Sequence, residues 1–126
     1  MRRLLVLLAA IVVLVSLASA QKPTGQTPKT EKARFAKYTR IQSQAKAAYL
    51  KSPGKAAVRK KYVDSTVDLG LEYMYSETVE RKSRYRTALN YFREALKADP
   101  SNHKARENVD MLVSIYRSLG RPVPGG

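Results

Sequence analysis

The chain has no cysteine, no tryptophan and a single histidine, His103. Without cysteine there is no disulfide framework, no thiolate metal site, no thiol nucleophile and no lipidated cysteine of the bacterial lipoprotein kind. His103 stands beside Asn102 at a predicted helix start with no close Glu or Asp pair at ligand spacing, so it reads as an ordinary exposed residue. There is no Gly-rich phosphate loop, no nucleophile flanked by recognisable partners and no metal motif. These absences argue against an enzyme and imply no cofactor. Acidic residues are scarce too: 10 Asp and Glu stand against 24 Lys and Arg, a net charge of +14. No segment alternates with the two-residue period of a strand, which leaves an all-α chain as the expectation.

Long apolar runs are absent except at the start. Arg2 and Arg3 precede a nearly unbroken apolar stretch from Leu4 to Val15, and Ala18-Ser19-Ala20 offers the small residues a signal peptidase accepts. Residues 1–20 are therefore predicted to be a secretory signal, cleaved after Ala20, with the product secreted or periplasmic. The alternative is an uncleaved membrane anchor, although a spanning helix needs about 20 apolar residues and this run is shorter. Cleavage removes two positive charges and leaves the remainder strongly basic. Residues 21–30 carry Pro23, Gly25 and Pro28 among polar side chains and read as a flexible linker. Residues 121–126, with two prolines and two glycines, read as a flexible tail. Between them, residues 31–120 have room for one domain with a modest core, held by packing alone.

Four helices are predicted within that span. Thr30 can cap the first, whose stripe is Tyr38, Ile41, Ala45, Ala48 and Tyr49, and Ser52-Pro53-Gly54 interrupts it, with Pro53 suited to the first turn of the next helix. From Ala56 to about Val79, Tyr62, Leu69 and Tyr73 share one face while Val63, Val67, Leu71 and Met74 cover a neighbouring one. An apolar arc that wide needs partners on two sides, which places this helix centrally. Glu77 to Ser83 forms a polar connection to a third helix, Arg84 to Ala98, whose stripe is Tyr85, Ala88, Leu89, Phe92, Ala95 and Leu96. Asp99-Pro100 ends it. Ser101 or Asn102 then caps a fourth helix through Ala105, Val109, Leu112, Val113, Tyr116 and Leu119, which Gly120 closes.

Ala88, Phe92, Ala95 and Pro100 have the spacing of the second helix of a tetratricopeptide repeat, and Leu69, Gly70 and Tyr73 match the Leu-Gly-x-x-Tyr part of its first helix. Residues 62–121 thus resemble that family, with departures: Thr66 stands where the signature has Trp, and Tyr73 and Ala88 lie about six residues further apart than in the standard repeat. Leu112, Val113, Tyr116 and Gly120 follow the spacing of a further repeat that starts late, and Ala48 and Pro53 keep that of a preceding second helix. The resemblance implies antiparallel helix pairs stacked as a short α-α solenoid of about four helices. About three repeats are usually needed for a stable solenoid, so the outer helices must close a four-helix monomer or the domain must dimerise through an exposed end. An ordinary helical bundle with one lookalike segment is the other reading.

In that family the first helix of each repeat lines a groove that accepts an extended peptide or partner helix. Carried over, the groove positions are Asp64, Val67, Leu71, Met74 and Tyr75, with Glu107 and Met111 in the later repeat. The expected function is a non-enzymatic interaction or scaffold module with a protein or peptide partner. Independently of the resemblance, Arg59, Lys60 and Lys61 form one basic cluster and Arg81, Lys82, Arg84 and Arg86 another. Such clusters suit an anionic membrane or cell-wall polymer, and for an exported protein nucleic acid comes last; the bland reading is a charge that keeps a small domain soluble. Asp64, Asp68 and Glu72 recur every four residues on one helix face, a row that either binds a basic peptide or hard cation or is a solvated face.

Overall fold

The computed structural model describes residues 28–125, and the predicted signal and most of the predicted linker lie outside them. The described residues form four helices and no strand: α1 (Pro28–Lys51), α2 (Ala56–Met74), α3 (Arg81–Ala98) and α4 (His103–Ser118). Each helix runs antiparallel to its predecessor and packs on it, so the main contacts are α1 with α2, α2 with α3 and α3 with α4.

α1 begins at Pro28, two residues ahead of the predicted cap Thr30 and inside the segment read as linker. Proline at the first helical position costs no backbone bond, because that amide lacks an intrahelical partner in any helix. The buried face is a narrow stripe of Glu31, Gln42 and Ala45, with Phe35, Tyr38, Ile41 and Tyr49 half-buried along it. Ala48, predicted in the stripe, is exposed. The stripe lies along α2 in antiparallel register: Phe35 meets Tyr73 with ring centroids 4.8 Å apart, Gln42 donates to the Thr66 hydroxyl at 3.3 Å, and Tyr49 stacks on Tyr62 at 4.7 Å.

Ser52, Pro53 and Gly54 turn the chain, with the Ser52 amide donating to the Ala48 and Tyr49 carbonyls and that of Lys55 to Ser52. Pro53 thus sits in the turn, ahead of α2, and not in its first helical turn. α2 is buried on two sides, as its wide apolar arc requires: Tyr62, Thr66 and Leu69 are buried on one flank, Val63, Val67 and Met74 on the other. Gly70 belongs to the second flank. A Cβ there would lie 2.8 Å from Cε1 of Phe92, so the α3 ring rests directly on the α2 backbone, which is the close approach that glycine permits.

α2 stops at Met74, five residues short of the predicted end, and α3 starts at Arg81, three residues early. Side chains claim the intervening amides. Ser76 Oγ accepts from Thr78 N and from Val79 N at 2.9 Å, while the Glu31 carboxylate accepts from Glu77 N at 3.2 Å and Thr78 N at 3.4 Å. Amides held this way are unavailable to an advancing helix. Glu80 then caps α3, accepting from Lys82 N at 3.3 Å and from the Ser83 hydroxyl. At the far end, Asn102 is the residue that caps α4, its Oδ1 accepting from Ala105 N at 2.9 Å, while Ser101 is held by the Asp99 carboxylate.

The core lies between α2, α3 and α4, with Val63, Val67, Leu89, Phe92, Ala95 and Leu112 all nearly inaccessible to water. Gly120 adopts φ 62°, and the amides of Gly120 and Arg121 donate back to the carbonyls of Arg117 and Tyr116, a Schellman closure of α4. That closure reverses the chain. Residues 121–125, predicted as a flexible tail, run back along α3: Val123 packs against the core and the Arg93 guanidinium donates to the Pro124 carbonyl.

Candidate interaction surfaces

Because α2 and α4 are both antiparallel to α3, they run parallel to each other, and Lys104 pairs with Asp68 across them at 3.9 Å. Seven residues after each of these come Tyr75, the residue that ends α2, and Met111 of α4. Both are exposed, Tyr75 to 68% and Met111 to 40%. Asp64 and Glu107 are exposed on these helices as well, and Asp64, Val67 and Asp68 line a depression of about 270 Å³ with Asn102 and Lys104.

Two predicted groove residues are elsewhere. Val67 at 2% and Met74 at 6% exposure belong to the core, and Leu71 is half-buried against it. Their place on α2 satisfies the helical spacing of a groove, but the same flank faces α3, so packing takes most of their surface. The accessible part of the predicted groove is Asp64, Tyr75, Glu107 and Met111.

The row of acids on α2 is consumed by ion pairs. Asp64 accepts from Lys60 one turn before it, Asp68 pairs with Lys104 of α4, and Glu72 with Arg34 of α1 at 2.9 Å. Hydrogen bonding to Asp64 raises the Lys60 pKa above its ordinary value. Each acid therefore faces a different neighbour, and among the described residues no group of histidine and carboxylate side chains could hold a metal ion. His103 is exposed at the start of α4.

The two basic clusters lie at opposite ends of the α2/α3 pair, since Arg59, Lys60 and Lys61 start α2 while Arg81, Lys82, Arg84 and Arg86 start the antiparallel α3. Their members differ. Lys60 is paired, and Arg84 is half-buried, donating to the Ser76 carbonyl with its Cζ 5.3 Å from the centre of the Tyr85 ring, while its buried Nε has no partner among the described residues. Arg59, Lys61, Arg81, Lys82 and Arg86 are exposed. Arg59 and Lys60 border a depression of about 380 Å³ that also contains Asp64 and Asp99, a mixed-charge wall.

Two carboxylates, Glu31 buried and Glu94 half-buried, take structural roles that the sequence did not reveal. Glu31, 1% exposed, accepts from the hydroxyls of Ser76 and Thr78 as well as from two loop amides. Burial alone would raise its pKa, but these donors outweigh it and hold the group below the ordinary value. Glu94 of α3 accepts from Lys46 of α1 at 2.7 Å and from the Tyr62 phenol of α2, tying three helices together. Its pKa too is lowered against the pull of burial, while burial and the hydrogen bond to Glu94 push the Tyr62 phenol up. The signal for Glu31 was weak, because an acid in a first helical turn is ordinarily an exposed response to the helix dipole.

Among the described residues no helix is long and apolar enough to cross a membrane. Compared with known families, curated proteins and solved structures, the chain gives no match.

Proposed function

We propose that the protein is an exported, non-enzymatic interaction module that receives a partner peptide along the face shared by α2 and α4. The observation behind this reading is the pair of exposed apolar side chains, Tyr75 at the C-terminal end of α2 and Met111 of α4, each seven residues beyond the Asp68–Lys104 ion pair that joins the two helices. Met and Tyr suit adaptable, partly apolar recognition. The open succession of helices, each on its predecessor, is compatible with a short tetratricopeptide-like stack, and Gly70 beneath Phe92 gives a physical use to two of the residues that carry that resemblance. The occupant would place apolar side chains on Tyr75 and Met111 and a basic group towards Glu107.

The test is selection of peptides from a displayed random library, followed by affinity measurement against Tyr75→Ala and Met111→Ala. Both side chains are exposed, so helicity stays intact. Affinity for the selected peptides falls by roughly tenfold or more for the double variant, as for the loss of a buried contact on each side. Unchanged affinity removes the α2/α4 face from consideration. Export is checked separately: expressed with its native N-terminus, the soluble product has the mass of a chain beginning at Gln21, and a membrane-bound product retaining Arg2 and Arg3 replaces export with tethering.

A further inference from the structure

Where the chain leaves α4, the returning tail walls off a depression of about 470 Å³ on α3. Its apolar surface comes from Tyr116 of α4 and from Pro122 and Val123 of the tail, and its cations are Lys82 and Arg86 of α3 and Arg121 of the tail. Among the described residues no carboxylate lines it. A second depression of about 300 Å³ adjoins it, sharing Lys82, Tyr116 and Arg121 and extending the apolar floor to Ile115 and Leu119. Glu80 is the acid of that second hollow, and its carboxylate is already engaged as the cap of α3. Among the described residues none of the three cations forms a salt bridge.

From this arrangement we propose a binding site for a small amphipathic anion, an apolar acyl or aryl body bearing a carboxylate or phosphate. Three cations that form no salt bridge attract the anionic head, Arg86 and Arg121 together with Lys82, which also feels the Glu80 carboxylate that caps α3. The apolar wall accepts the body, and the volume lies within the usual range of small-ligand pockets, about 300–1,000 Å³. A flat bilayer could meet the rim but could not fill the concavity. The site is also held in place before any ligand arrives: the Schellman closure at Gly120 sets the direction of the tail, Val123 packs on the core, and Arg93 holds the Pro124 carbonyl. Such preorganisation removes part of the ordering cost of binding. The site is independent of the α2/α4 face and lies on other residues.

The experiment is an amide NMR titration of the purified full chain with decanoate, with decan-1-ol as the uncharged counterpart and phosphatidylglycerol vesicles as a separate arm. Decanoate gives saturable shifts at Lys82, Arg86, Arg121 and Val123. Decan-1-ol binds there roughly tenfold more weakly, as does decanoate to the combined Lys82→Ala, Arg86→Ala and Arg121→Ala variant. These side chains are exposed, so the variant keeps its helicity by circular dichroism. Val123→Asp, which puts an acid into the wall, lowers decanoate binding at least as much. Equal binding of decanoate and decan-1-ol on the unmodified chain overturns the proposal, as do shifts confined to other residues or an unaffected triple variant. Vesicle binding that needs the three cations while decanoate does not bind also sinks it, because the cations would then serve a membrane surface.

Discussion

A carboxylate taken out of water is tolerated only where donors replace the hydration it loses, and Glu31 has four of them, all from residues 76–78. Its pKa is lowered from 4.5 in the folded chain, so the unfolded state binds a proton first as the pH falls. The contribution of Glu31 is therefore complete above pH 4.5 and is lost as the pH drops through the lower folded value. Glu94 acts in the same direction. Glu31→Gln keeps the shape but turns an NH₂ group towards donors, and near neutral pH it should lower stability in urea by roughly 1–3 kcal/mol. That deficit should shrink below pH 4.5; a deficit that persists unchanged to low pH would mean that shape and not charge is at work. At Gly70 the constraint is steric. Gly70→Ala puts a methyl group 2.8 Å from the Phe92 ring, and a thermal melt should show a loss of about 1–3 kcal/mol, whereas an unchanged melt would show that the ring can swing aside.

At the scale of elements, the helix ends separate local from long-range control. The Asn102 cap and the Gly120 stop are local chemistry: a side-chain oxygen serving Ala105 N, and a residue free to take positive φ. Asn102→Ala should cost about 1 kcal/mol, measured by urea denaturation, and the loss should fall to a few tenths for Asn102→Gly. Both ends were legible because capping residues act on neighbours within four positions. The α2–α3 connection was not. Nothing within residues 75–80 announces that Glu31, 45 residues before Ser76, will occupy the amides there, so the apolar pattern running to Val79 overstated α2. In the same way Val67 and Met74 carry the spacing of groove residues and are spent in the core, since periodicity states which residues share a face but not how much of that face a neighbour covers.

For the whole molecule, charge and order of packing matter most. With 24 basic and 10 acidic residues, most cations have no acid to meet, and several of the acids are already committed to particular partners, as Glu72 is to Arg34 and Glu94 to Lys46. Self-repulsion should therefore dominate surface electrostatics. Raising ionic strength from roughly 0.01 M to 0.15 M shortens the screening length from about 30 to 8 Å and should raise the melting temperature. A fall instead would mean that the few ion pairs outweigh the repulsion. The stack is held by side chains that bridge helices, above all Phe92, and Phe92→Ala should cost about 3–5 kcal/mol in urea unfolding while leaving a single transition, because the core it fills is shared by α2, α3 and α4.

The helical class, the approximate place of each helix and the central position of α2 were legible before folding, because these follow from period, from caps and from an apolar arc too wide for one partner. The sequence also marked Gly70 and Phe92, although only packing showed that one rests on the other. Tertiary structure alone decided which cations are spent and which stay open. Arg84 and Arg86 are two residues apart and chemically alike in sequence, yet one is folded against Ser76 and the other faces a hollow closed by the tail. Prolines and glycines in residues 121–126 forbid a helix, which is a local fact; that residues 121–125 return to α3 depends on the reversal at Gly120 and on Val123 finding the core. Local rules act over a few bonds, and the position of a surface residue among its neighbours is set by contacts made tens of residues away.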